Sequence, residues 1–172
     1  MTERTLSSES VFTNRVFSVR SDRVRLPHGP EATLHIIRHP PSVVLLPMPD
    51  PSHIILARQY RYAINQWTWE LPAGSVNLGE TPEQAAVREC HEEIEKVPRQ
   101  IERLGEFYPT PGYCDELMIF FRLTELMEPD RFAETDDDED IEARLFTLDE
   151  ASQLVSNVEA PDMKTALGLT LL

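Results

Sequence analysis

The chain has 172 residues, 41% of them hydrophobic, and a formal net charge of −14. That length and apolar content suffice for one domain with a proper core. The acidic balance excludes a general nucleic-acid or anionic-membrane binder, whose footprint is basic; it leaves room for a polyanionic substrate met by metal ions and local arginines. Two cysteines, Cys90 and Cys114, fall in no metal-binding or redox spacing and read as free thiols of a reducing cytosol. The opening MTERTLSSES has no apolar signal region, and no run reaches the length of a membrane span. A cytoplasmic protein is expected.

Residues 1–10 are polar and are expected to be loose. From Val11 to Leu26 apolar and polar residues alternate, which predicts a strand pair; Pro27-His28-Gly29-Pro30 supplies a turn and Ala32 to Arg38 a further strand. This front section is a small antiparallel sheet. Val43 to Leu46 and His53 to Tyr60 are short apolar runs around Pro49-Asp50-Pro51, as in a hairpin of a mixed sheet. Trp67 to Leu71 predicts a strand that delivers Pro72-Ala73-Gly74, with Trp67 and Trp69 assigned to the core.

The stretch from Gly74 to Lys96 carries the chemistry. Thr81 serves as N-cap, Pro82 fits the first helical position and Gln84 completes a capping box. The helix then runs to a stop at Pro98. Glu89, Glu92 and Glu93 stand at i, i+3 and i+4 and share one face. Like charges so placed repel by roughly 4 kcal/mol per pair at about 4 Å and an effective dielectric near 20. A cation relieves that cost, and a hard divalent ion suits an all-carboxylate site with room for phosphates.

Beyond the helix, Ile101 to Tyr108 predicts a strand, Tyr108 to Tyr113 a rigid turn, and Glu116 to Leu126 a buried strand. In the acidic run Glu134 to Asp140, Asp136, Asp138 and Asp140 alternate as in a calcium loop, but Ile141 occupies the place of the turn glycine, which rejects that reading. Glu142 to Phe146 predicts a last strand. Thr147 to Glu150 forms a second capping box opening a helix through Asn157, and Pro161 begins a final helix. Strands, helix, strands and helices in this order indicate an α+β sandwich with a mixed sheet between helices.

The spacing from Gly74 through Glu80 and Arg88-Glu89 to Glu92-Glu93 resembles the Nudix box, G-x5-E-x7-R-E-U-x-E-E-x-G-U with U aliphatic. Glu95 replaces its glycine and Lys96 its final aliphatic residue. The approach, Arg58 to Gly74, resembles the nucleoside-diphosphate-sugar branch, with Q-x-R followed by E-x-P-A-G. The resemblance implies the Nudix fold for residues 41–172, preceded by a dimerising β-strand region over 1–40. It implies Mg²⁺, with Mn²⁺ as substitute, held by Glu89, Glu92, Glu93 and the Ala73 carbonyl. It assigns Arg61 to the substrate phosphates, with Arg58 and Glu70 as further substrate-side candidates. Pro111, in a T-P-G context, resembles a feature of ADP-ribose hydrolases. Glu139 is the implied general base, ahead of Glu134, with Glu89 and Glu93 the other catalytic carboxylates. Glu80 and Arg88 are expected to hold loop and helix together.

The implied activity is hydrolysis of ADP-ribose or a related nucleoside diphosphate sugar to a nucleoside monophosphate and a sugar phosphate, by a homodimer that binds neither nucleic acid nor membrane. Two alternatives stand beside it. One is another Nudix substrate, such as GDP-mannose or a dinucleoside polyphosphate; the other is a nucleotide-binding module without turnover.

Overall fold

The computed structural model describes residues 4–131, 141–157 and 162–172. They form two compact units, residues 4–41 with 108–117, and residues 42–107 with the described part of 118–172. Among the described residues no helix is long and apolar enough to cross a membrane.

The first unit is an antiparallel sheet of β1 (Thr5–Thr13), β2 (Ser18–Arg25) and β3 (Glu31–Arg38), in that order. Residues expected to be loose are therefore strand from Thr5 onward. Every β1 residue is exposed, so apolar burial does not order it. The backbone ladder to β2 does, helped by Ser8, whose hydroxyl donates to the buried Asp22 carboxylate and accepts from Arg20. Asn14 closes the β1–β2 turn, its side-chain oxygen accepting from the amides of Val16 and Phe17 at 2.8 and 2.7 Å. The 108–117 segment joins β3 through Ile37 N–H to Tyr113 O at 2.7 Å and an Arg38–Asp115 ion pair at 2.8 Å.

The second unit begins with β4 (Ser42–Pro47) and β5 (His53–Arg61). A 3₁₀ turn (Tyr62–Ile64) leads to β6 (Gln66–Glu70), β7 (Ala73–Ser75) and helix α1 (Pro82–Ile94). Then come β8 (Val97–Phe107), β9 (Met118–Met127), β10 (Glu142–Thr147), α2 (Leu148–Asn157) and α3 (Met163–Leu169). One sheet runs β10-β5-β6, all antiparallel; the other runs β7-β4-β9-β8, with β4 and β9 parallel. The mixed α+β architecture is the expected one.

Strand β4 explains the unit's core. Val43, Val44, Leu45 and Leu46 are all 0% exposed, the mark of a central strand covered on both faces. Val44 and Leu46 pack with Ile54, Leu56, Leu71, Phe120, Phe146 and Ala151. Each such large side chain contributes about 1.5–3 kcal/mol on burial. Residue 168 is glycine because α3 lies close over this core: a Cβ there would come within 2.3 Å of Leu71 Cδ1.

Helix α1 starts as its sequence dictates, with Thr81 Oγ1 accepting from Gln84 N–H at 3.2 Å and Gln84 Oε1 accepting from Thr81 N–H at 2.9 Å. Its end corrects the expectation. Pro98 does not stop it; Glu95 does, in the left-handed conformation (φ 53, ψ 40) that a glycine would adopt freely. Its amide caps Cys90 O and His91 O, and Pro98 lies within β8. β8 is an edge strand, where a proline is tolerated.

Candidate active site

The inner stripe of α1 consists of Ala85, Ala86, Glu89, Cys90 and Ile94. A carboxylate in that stripe is unusual, and Glu89 is only 8% exposed. Gly74 makes the space for it: a Cβ at position 74 would fall 2.0 Å from Glu89 Cδ and Oε1. The strand β7 therefore runs directly against the Glu89 carboxylate, and only a residue without a side chain fits there.

Arg88 organises the rest of this face. Its Nη1 donates to Glu89 at 2.6 Å and to Glu92 at 2.8 Å, its Nε to Glu80 at 2.9 Å, and its Nη2 to the Ser75 carbonyl at 2.9 Å. Hydrogen bonds donated to Glu80 first, then to Glu89 and Glu92, raise the Arg88 pKa against the cost of its burial. In return Arg88 holds Glu80 below the usual carboxylate range. Glu80 Oε2 also accepts from Asn77 N–H at 3.0 Å. Arg88 and Glu80 thus tie the 75–80 loop to the helix, as expected. Glu93 turns toward β7, where its Oε1 accepts from Ala73 N–H at 3.3 Å. Burial, with Glu93 adding to it, pushes the Cys90 thiol up to about 12, so it stays protonated.

A small cleft opens beside Glu93, lined by Ala57, Gln59, Arg61, Glu70, Leu71, Ala73, Glu93 and Ile141. Strand alternation builds its wall, since Ala57, Gln59 and Arg61 stand at i, i+2 and i+4 on β5. Across the ladder Ala57 faces Glu70 and Gln59 faces Thr68. Glu70 is 4% exposed, and its oxygens accept from Arg61 Nε at 2.8 Å and Arg61 Nη2 at 2.6 Å. Thr68 and Lys164 donate to the same carboxylate. Burial alone would raise the Glu70 pKa; Arg61, Lys164 and Thr68 outweigh it and hold the group at about 2. Glu70 therefore grips Arg61 from behind and does not face solvent.

The opposite face of the same two strands carries Arg58, Tyr60, Trp67 and Trp69. Arg58 is three residues from Arg61, so the pleat turns it away from the cleft; its guanidinium lies 5.0 Å from the Trp67 ring centroid. Trp67 is 45% exposed and not in the core, while Trp69 packs edge-on to Phe146 at 4.9 Å. The core expectation thus holds for Trp69, which packs against the buried cluster, and fails for Trp67; polar Thr68 and Glu70 are buried because their partners are inside. Pro111 is exposed and belongs to the first unit. Glu139 and Glu134 lie outside the described residues.

The structure thus brings Ala73, Glu89, Glu92 and Glu93 to the β7–α1 junction, with Arg61 and Glu70 around the adjoining cleft. Among the described residues no three carboxylates, histidines or cysteines already converge as a closed metal cage, because Arg88 holds Glu89 and Glu92. The donor set still fits a hard divalent cation: it is all oxygen, with three carboxylates (Glu80, Glu89, Glu92) sharing the Arg88 guanidinium and a fourth, Glu93, on the Ala73 amide. Sequence reasoning missed Lys164, Thr68 and Gln59. The alternation of β5 would have found Gln59; Lys164 carries no local signal beyond being the single charged residue of its helix.

The sequence matches the family described as NUDIX domain over residues 38–166, and that described as nucleoside diphosphate sugar hydrolase N-terminal domain over residues 3–33. It is similar to an ADP-ribose pyrophosphatase of Bacillus subtilis (strain 168), 34% identical over 170 residues covering 99% of this chain and 92% of that one. It is also similar to a methanol dehydrogenase activator of Bacillus methanolicus, 32% identical over 170 residues with the same coverage of 99% and 92%. Among solved structures an ADP compounds hydrolase shares the fold, with a TM-score of 0.83 at 22% identity, covering 97% of this chain and 90% of that one.

Proposed function

The chain belongs to the NUDIX family, and from that premise we propose that it is a divalent-metal-dependent pyrophosphohydrolase that cleaves ADP-ribose to AMP and ribose 5-phosphate. The observation that carries this reading is the juxtaposition of Glu93, Ala73 and Arg61 on one cleft, in a chain similar end to end to an ADP-ribose pyrophosphatase. Related nucleoside diphosphate sugars share the diphosphate and come next as substrates.

Mg²⁺, with Mn²⁺ as substitute, would be held by Glu89, Glu92, Glu93 and the Ala73 carbonyl, and would polarise phosphorus and neutralise the diphosphate. The protein's own groups do the rest. Arg61 presents a planar guanidinium to the phosphate oxygens; among the described residues Glu70 takes its Nε and one Nη2 donor, leaving Nη1 for substrate. Gly74 and Arg88 fix where the Glu89 carboxylate sits. Glu139 is assigned the proton of the attacking water: a new P–O bond forms, the bridging P–O bond breaks, and the departing phosphate leaves as a monoester.

The match of residues 3–33 to the sugar hydrolase N-terminal domain, with Leu6, Val11, Phe12 and Leu34 exposed on that sheet, supports a homodimer built through it. Free Cys90 and Cys114 support a reducing, cytoplasmic setting. One relative is named as an activator of a dehydrogenase, which keeps a binding role in view; the intact Glu89, Glu92 and Glu93 favour turnover.

Glu93→Gln keeps the shape and removes a charged ligand. It is expected to lower kcat by more than about 100-fold with the thermal transition preserved; near-normal turnover in a folded variant would sink the mechanism. The base assignment is separate: full activity in Glu139→Gln with loss in Glu134→Gln would transfer the role to Glu134.

A further inference from the structure

Arg61 is backed by a buried ion network that the hydrolytic reading leaves unused. Behind it Glu70 is shared by Arg61, Thr68 and Lys164. Lys164 comes from α3, ninety-four residues further along the chain, and is only 7% exposed. Its ammonium lies 3.1 Å from Asp162 Oδ2. Asp162 in turn caps α3, accepting from Thr165 N–H at 2.9 Å and Thr165 Oγ1 at 2.6 Å. The same Thr165 Oγ1 accepts from Leu71 N–H at 2.7 Å, and Gly168 lets α3 sit against the Leu71 side chain. The C-terminal helix therefore grips Glu70-Leu71, the two residues that join the Arg61 wall of the cleft to Pro72-Ala73.

A lysine buried this far loses its hydration, which a structural helix has no need to incur. Its position gives it a use. Glu70, Asp162 and Glu93 all attract the Arg61 guanidinium, and a guanidinium so surrounded has less attraction left for a phosphate. Lys164 balances Glu70 and Asp162 directly, so Arg61 is held in place without being neutralised.

We propose that Lys164 is a positioning residue for diphosphate binding, acting through Glu70 to keep Arg61 at the cleft with its charge available to the substrate. This rests on Arg61 being the phosphate contact, and the test separates the two claims. Lys164→Met, Arg61→Ala and the double variant are compared as a cycle, with ADP-ribose and Mg²⁺, and with thermal unfolding recorded for each. Arg61→Ala tests the contact itself and is expected to raise KM by about tenfold or more. Lys164→Met is expected to raise KM by about tenfold, with kcat changed by less than about threefold, and Lys164→Arg to restore most of the affinity. In the Arg61→Ala background, Lys164→Met should change KM by less than about twofold.

An unchanged KM in folded Lys164→Met overturns the proposal. So does an equal KM increase with and without Arg61, which would mean that Lys164 acts on its own. An unchanged KM in Arg61→Ala refutes the phosphate contact, and the role of Lys164 falls with it. Should Lys164→Met fail to fold, Lys164→Gln carries the same comparison, with the same outcomes deciding.

Discussion

Replacing Gly74 with alanine separates the chemistry from the fold more sharply than removing a carboxylate does. The added methyl would stand 2.0 Å from both Cδ and Oε1 of Glu89. Ordinary carbon contacts are about 3.5–4.0 Å, so the carboxylate must retreat by about 1.5 Å or β7 must move away. Glu89 has little room to retreat, being buried with Arg88 on its Oε1 at 2.6 Å. Gly74 has no positive φ, so alanine adds no backbone strain and the cost is the contact alone, about 1–3 kcal/mol. For a metal-holding oxygen, a shift of about 1 Å costs on the order of 100-fold in rate. The expected outcome is a kcat about 100-fold lower, a raised Mg²⁺ requirement and a thermal transition lower by about 2–12 °C. Activity and Mg²⁺ titration in Gly74→Ala equal to wild type would refute the placement of Glu89 as a ligand.

Glu95 sits at φ 53, a conformation costing a side-chain-bearing residue about 1–2 kcal/mol. Glu95→Gly relieves it, less the entropy of glycine, for a net gain of about 0.5–1 kcal/mol and a melting temperature about 1–4 °C higher; a lower one would deny the left-handed cap. Glu70→Gln leaves Lys164 and Arg61 sharing a neutral partner and is expected to cost about 3–5 kcal/mol at neutral pH. The sign with pH is set by its carboxylate lying at about 2 against an ordinary 4.5. As pH falls the unfolded chain takes up the proton first, so Glu70 contributes its stability fully above the ordinary value and loses it as pH falls toward 2. Denaturant unfolding across that window should show wild type and Glu70→Gln converging in acid; a constant gap would contradict the buried network.

What the sequence displayed and what it hid divide along the range of the forces involved. Both capping boxes were legible because each is a four-residue interaction, Thr81 with Gln84 and Thr147 with Glu150. The end of α1 was not, since contacts distant in the chain hold Glu95 left-handed: β8 begins at Val97 opposite Met127, and Lys96 pairs with Glu128 at 2.6 Å. β1 reads as a loose polar tail because its order comes from the ladder to β2 and not from apolar burial. The carboxylate face of α1 could be read from spacing alone, but not that Gly74 is vacant for the sake of Glu89. Arg61 was legible as the phosphate candidate and Arg58 as a secondary one; the pleat of β5 puts them on opposite faces. Lys164 and Thr165 reach Glu70 and Leu71 across ninety-four residues, a contact no local pattern announces.

Turnover should be measured by phosphate release, coupled to a phosphomonoesterase, on ADP-ribose, ADP-glucose, GDP-mannose and a diadenosine polyphosphate, each with Mg²⁺ and with EDTA. Hydrolysis led by ADP-ribose and abolished by EDTA is the predicted result. No turnover on any of these diphosphates, or turnover indifferent to EDTA, would contradict a metal-dependent ADP-ribose pyrophosphohydrolase built on Glu89, Glu92 and Glu93.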